Sequence, residues 1–228
     1  MRSMPTPAET PSSCPAPTTQ PTTPPTAWPA LVLGSTSRYR QELLARLGLP
    51  FCTHAPQVDE TPQADETPAV LAERLARAKA MAVAQARAGQ DEVVIGSDQV
   101  ADWQGQSLGK PGHHAAARAQ LQAMRGHTVR FHTAMCVLRP HTGYEGRSLT
   151  TVDVTFRALS DAEIDTYLRL EQPFDCAGSA KVESLGISLL ARVDSADPTA
   201  LVGLSLIDTC RLLTEAGLPP LGWLAAHR

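Results

Sequence analysis

Apolar residues in this chain follow two alternating rhythms. Short unbroken runs mark strands covered on both faces, and spacing of three and four marks helices packed on one side. Residues 31–33 form the first run, followed by a hydroxyl-rich turn and a helix that Ser37 can cap by accepting a bond from a free backbone N–H. A strand over 51–54 comes next. Thr67-Pro68 then opens a long helix, with Thr67 as cap and Pro68 at the first helical position. Val70, Leu71, Leu75, Ala78 and Ala82 are its predicted apolar face. Residues 92–96 read as a buried strand, and 100–103 lead into a hairpin turn at Gln104-Gly105.

The second half continues the pattern. A helix is predicted over 113–124. Val129, Phe131, Thr133, Met135 and Val137 alternate with mostly polar residues, as in a half-buried strand, and a returning strand over 151–156 makes an antiparallel pair. Ser160 to Glu163 is a capping box that starts a helix ending before Pro173. A strand is predicted over 187–193. Asp197-Pro198 starts a final helical region that stops at Gly217. Parallel and antiparallel signals coexist, so the predicted class is α/β, a mixed twisted sheet flanked by helices.

Composition narrows this picture. The 228 residues suit one large domain or two small ones. Residues 1–29 are rich in Pro, Thr and Ser, and their side-chain charges, Arg2 and Glu9, cancel. Such a segment cannot bury enough apolar surface to offset its ordering entropy, so a disordered tail is expected, followed by a single domain over 30–228. The net charge of −3 opposes non-specific nucleic-acid binding, which displaces counterions with a basic surface. No apolar run reaches the length of a bilayer span, and no apolar core follows a basic start as in a secretory signal, so the expected compartment is the cytoplasm. Cys14, Cys52, Cys136, Cys176 and Cys210 are scattered and include no C-x-x-C pair, which predicts reduced, buried thiols. His113 and His114 are adjacent, point apart on a helix, and read as surface residues.

Candidate chemistry gathers where elements end. Ser35, Thr36 and Ser37 lie at a helix start with Arg38 and Arg40. Unpaired N–H groups and the helix dipole attract phosphate there, although an ordinary capped helix with surface arginines would read the same. Glu60 lies in an acidic loop, and Asp98 follows the most hydrophobic strand. Lys79 is a helix lysine, either solvated or a ligand, and Lys110 is fixed between Gly109 and Pro111. The stretch from Gly105 to Lys110 is one residue short of a P-loop and ends in Pro111 where that motif needs Ser or Thr. Two carboxylates can hold Mg²⁺, cations can neutralise a triphosphate, and a carboxylate can deprotonate water. Those parts make a nucleotide-hydrolysis site if they meet in space.

In their order, these motifs resemble the Maf-like nucleoside triphosphate pyrophosphatases across nearly all of 31–221. The opening Leu-Val-Leu-Gly-Ser-Thr-Ser-x-x-Arg, the Val-Asp-Glu-Thr-Pro loop, Gly-Ser-Asp-Gln and Gly-Lys-Pro appear in family order. So do Cys-Ala-Gly-Ser at 176–179 and Leu-Val-Gly-Leu at 201–204. The resemblance implies two lobes around a central cleft, a fold related to inosine triphosphate pyrophosphatases, and cleavage between the α- and β-phosphates. It implies Asp98 as proton acceptor, Glu60 and Asp98 at a divalent metal (Mg²⁺, or alternatively Mn²⁺), and Ser35, Arg40, Lys79 and Lys110 on phosphates. It also implies a homodimer with a small nucleotide substrate. Members acting on dTTP and UTP carry Arg, Thr and Gln where this chain has Tyr39, Gln99 and Glu183. These three resemble the 7-methyl-GTP subgroup, in which an aromatic face suits a cationic purine and a carboxylate suits the guanine N1–H and amino group. Arg38 stands where the family usually has Pro, a replaceable residue at the first helical position. The alternatives are a dTTP/UTP pyrophosphatase and a non-catalytic nucleotide-binding regulator of division.

Overall fold

A computed structural model describes residues 28–227; the predicted tail lies outside them, except for Trp28 and Pro29. Strands β1 (Ala30–Gly34), β2 (Phe51–Thr53), β3 (Glu92–Trp103), β4 (Gln106–Leu108), β5 (Thr128–Arg139), β6 (Tyr144–Phe156) and β7 (Leu190–Ser195) form one sheet. Its order is β2-β1-β3-β5-β6-β7, with β4 paired to the far end of β3. β1 runs parallel to β2 and β3, and the remaining pairs are antiparallel. The mixed sheet is thus as the sequence predicts.

Helix α2 (Pro68–Ala86) covers one face. The other face carries α1 (Arg38–Ala45), α5 (Leu206–Glu215) and α6 (Pro220–His227) at one end, and α3 (His114–Met124) and α4 (Asp161–Glu171) at the other. Alternation along β3 and β5 explains the division. On this face Val93, Ile95, Met135 and Val137 join the first apolar cluster, while Ala101, Val129 and Phe131 join the second. Between them the same face presents Ser97, Gln99 and Thr133, which breaks the core into two lobes.

The predicted caps form. Ser37 and Thr67 accept from Arg40 N and Val70 N, and Ser160 and Glu163 close their capping box; His113, expected only to be a surface residue, also caps α3 through Nδ1. Gln104 and Gly105 both take positive φ, as a two-residue hairpin turn requires.

Several expectations need correction. The strand predicted over 92–96 does not end there, because β3 pairs with β5 without a break from Val94 to Asp102 and takes in residues 97–99. The buried stripe of α2 is Leu71, Ala72, Leu75, Ala76, Lys79, Ala80 and Val83; Val70 is exposed, and Ala78 and Ala82 are half-buried. The stripe is rotated from the predicted one toward Ala72, Ala76, Ala80 and Val83, and that rotation takes Lys79 inside. β6 starts at Tyr144, well before residue 151, and β7 starts at Leu190 after a 3-10 segment, Leu185–Leu189. The final helical region divides at Gly203, whose φ of 116° ends one 3-10 turn before Ser205 caps α5. Among the described cysteines, all four are free, yet only Cys136 is buried and Cys52 is exposed.

Candidate active site

The cleft opens where the sheet lacks a strand. β1 pairs with β3 only as far as Gly96, and β4 resumes at Ala101. Residues 97–100 therefore have neither strand as a neighbour on that side. A cleft of about 860 Å³ faces this gap. It is walled by the turn into α1, the loop before α2, α2 itself, the β4 end, and the loops at 175–183 and 201–203. Ser35, Tyr39, Arg40, Glu60, Lys79, Asp98, Gln99, Lys110 and Glu183 all line it.

At its centre is a three-membered charge cluster. Lys79 Nζ donates to Asp98 Oδ1 at 2.6 Å and lies 2.7 Å from Glu60 Oε1. The lysine and aspartate side chains are buried, whereas Glu60 reaches in from an exposed loop. Gly96 makes this reach possible. A Cβ there would collide with the Ala76 carbonyl oxygen and lie 2.5 Å from Ala80 N, so α2 packs directly on the strand two residues before Asp98. Partial burial acts to raise the Glu60 pKa, but the hydrogen bond and charge of Lys79, with Lys110 and Arg40 behind it, hold the carboxyl below its usual value.

Arg40 enters from the first turn of α1. Burial lowers its pKa from the ordinary value, and the nearby Asp98 and Glu60 charges oppose that shift. Its Nε donates to the Gly203 carbonyl at 2.8 Å, which orients the guanidinium. Ser35 is buried, and its Oγ accepts from Ser37 N at 3.1 Å, shaping the turn at the head of α1. Lys110 is exposed beside buried Pro111.

At the other end, Tyr39 and Glu183 come together near Asp175 and Cys176. Burial, then the charges of Cys176 and Asp175, raise the Tyr39 pKa. Protein packed around the Glu183 carboxyl raises it above its usual value, although the residue keeps an exposed side. Burial and Asp175 push the Cys176 thiol up to about 12, so it stays protonated and is no nucleophile at neutral pH. The guanidinium of Arg38 lies over the Tyr39 ring, 5.0 Å from its centroid.

Gln99 is turned toward protein. Its Nε2 lies 3.0 Å from Thr133 Oγ1 and from the carbonyls of Ala200 and Leu201. Thr133 and Ser97 hydroxyls donate to the Ala200 and Gly203 carbonyls, so three sheet residues stitch the 200–203 loop over the cleft. Sequence reading passed over Ser97 and Thr133. Their signal was present: polar residues at alternate positions interrupt two otherwise apolar rows.

The cleft thus sets a buried lysine between two carboxylates, beside an arginine and the N-terminus of α1. The chain belongs to the Maf-like protein family, whose family model matches residues 30–216. It is 60% identical over 188 residues to the 7-methyl-GTP pyrophosphatase of a Polaromonas species, covering 82% of this chain and 85% of that protein. It is 58% identical over 194 residues to the 7-methyl-GTP pyrophosphatase of Cupriavidus metallidurans, covering 85% and 96%. A solved nucleoside-triphosphatase / dITP/XTP pyrophosphatase from Mycobacterium abscessus aligns with a TM-score of 0.35 and 17% identity over 57% of this chain and 74% of that one, a likeness too slight to build on.

Proposed function

We propose that this protein hydrolyses 7-methyl-GTP to 7-methyl-GMP and diphosphate. The observation that carries the reading is the Glu60–Lys79–Asp98 cluster at the heart of the cleft, in a chain so similar to enzymes named for that substrate. Asp98 accepts a proton from the attacking water. The water oxygen bonds to the α-phosphorus, the bridging bond to the β-phosphate breaks, and diphosphate leaves with the bond electrons. Lys79, Arg40, Lys110 and Ser35 bind the phosphates and stabilise charge that develops on them.

Glu60 and Asp98 suit a divalent cation, because each spends one carboxylate oxygen on the Lys79 ammonium and, among the described residues, has no bond to its second, a hard oxygen donor. Among the described residues no third carboxylate, histidine or cysteine joins them. Mg²⁺ commonly keeps waters and substrate phosphates as its remaining ligands, so two carboxylates suffice, and Mn²⁺ takes the same donor set. When bound, the metal supplies charge neutralisation at the phosphates.

Tyr39 and Glu183 read the base. The aromatic face attracts the cationic methylated ring, and the carboxylate accepts from guanine N1–H and its amino group. Arg38 covers one face of Tyr39, so the base stacks on the opposite face or displaces Arg38. Gln99 contributes through the 200–203 loop that it anchors. The family reading supports a homodimer, and the cytoplasm is the compartment expected of a sequence without a bilayer-length apolar run. Among the described residues no helix is long and apolar enough to cross a membrane.

A nucleotide panel with coupled inorganic pyrophosphatase and phosphate detection tests the assignment. Turnover should be highest with 7-methyl-GTP and low with dTTP and UTP; equal or better turnover of the pyrimidine nucleotides overturns the substrate. Asp98→Asn should lower kcat by about 100-fold or more while circular dichroism stays native. A fully active variant would remove Asp98 from the role of base.

A further inference from the structure

The loop that carries Glu183 has little regular structure of its own. It runs between two 3-10 segments, Ala177–Ser179 and Leu185–Leu189, and Glu183 is exposed on it. A base-reading carboxylate on such a loop discriminates only if something fixes the loop. The clamp comes from α4, which does not line the cleft.

Tyr167 and Glu171 lie four residues apart, on one face of that helix. The buried Tyr167 hydroxyl donates to the Ser179 carbonyl at 3.1 Å and accepts from Lys181 N at 3.0 Å. Glu171 uses both carboxylate oxygens. Oε1 accepts from Lys181 Nζ at 2.7 Å, and Oε2 accepts from Leu185 N at 3.0 Å. The turn is therefore gripped two residues before and two residues after Glu183. It is also closed on itself, since the Lys181 carbonyl accepts from Ser184 N and Gly186 N. A Cβ at Gly186 would collide with the Lys181 carbonyl oxygen, so the close approach needs glycine there. Burial acts to raise the Glu171 pKa, yet the bonds from Lys181, Ser184 and Leu185 hold it below the usual value, keeping both oxygens as acceptors.

We propose that Glu171, with Tyr167, is a positioning residue for base selection: it fixes the 181–185 turn so that Glu183 meets the guanine edge, and it touches no substrate. The proposal rests on Glu183 reading the base.

The test uses the full chain and compares kcat and KM for 7-methyl-GTP and UTP. Glu171→Gln keeps the size of the side chain and removes its charge. Preference for 7-methyl-GTP should fall about tenfold, the worth of a charge-assisted hydrogen bond, through a raised KM for 7-methyl-GTP with kcat little changed. In a Glu183→Ala background the same substitution should change the preference no further. Tyr167→Phe, which removes only a hydroxyl, should shift KM in the same direction and serves if Glu171→Gln does not fold. A folded Glu171→Gln variant with wild-type preference overturns the proposal alone, as does a further loss of preference in the Glu183→Ala background. A wild-type enzyme with no preference for 7-methyl-GTP overturns the substrate assignment and the proposal together.

Discussion

Lys79 is held by partners of unequal worth. Asp98 is buried with it, whereas Glu60 is exposed and screened by solvent. Removing the ammonium leaves a buried carboxylate without its ion partner, a change that costs about 3 kcal/mol or more; the exposed Glu60 pair adds under about 1 kcal/mol. Lys79→Met should therefore lower the urea midpoint markedly as well as abolish turnover. Combining it with Asp98→Asn should recover most of the stability and none of the activity. A double variant no more stable than Lys79→Met would show that the pair is not coupled. The residue also marks a limit of sequence reading. Lysine on a helix is usually solvated, and only the burial of Leu75, Ala76 and Ala80 around it reveals otherwise.

Elements bring these residues together, and α2 on β3 is the decisive contact. Gly96 has no room for a methyl group, since its neighbours are helix backbone atoms that cannot rotate away. Gly96→Ala should push α2 outward, cost about 1–3 kcal/mol as overpacking does, and lower activity by separating Lys79 from Asp98. Thermal unfolding together with turnover checks this; an unchanged Tm and rate would mean that the helix shifts freely. The elements themselves were largely legible. Caps at Ser37, Thr67 and Ser160 form as their side chains dictate, because capping is local. What local pattern could not supply was the continuity of β3 through Gly96, Ser97, Asp98 and Gln99. The predicted strand stops at Gly96, and the pairing of β5 across the whole stretch carries it on. Likewise, the 3-10 segment at Leu185–Leu189 is held by Glu171, a contact from another element, so apolar spacing alone assigned its end to a strand.

At the level of the whole molecule, one sheet serves two apolar clusters. β3 and β5 each contribute to both, so neither lobe keeps its strands if the other unfolds. Unfolding should be a single cooperative event despite the division of the core. Trp103 borders one cluster, while Trp28 and Trp223 border the other. Fluorescence of Trp103→Phe and Trp223→Phe variants should report the same urea midpoint as circular dichroism. Separated midpoints would make the lobes independent units. The two-lobed arrangement follows from residues as small as Ser97 and Thr133, which place hydrogen-bonding groups where an apolar row would have merged the clusters.

β1 begins at Ala30 and delivers the chain to the cleft at Gly34 and Ser35. At its opposite end Trp28 meets Gly222 of α6, and an apolar hollow of about 540 Å³ is shared by Trp28, Phe51, Trp223 and His227. Both ends of the described chain thus emerge side by side, with the length of β1 between them and the charged cluster. A label placed at Trp28 or His227 therefore sits at the end of β1 opposite the one that reaches the cleft. Attached to a support through the Trp28–His227 corner, the described domain would present its cleft to solution, which makes it suited to use on a solid support.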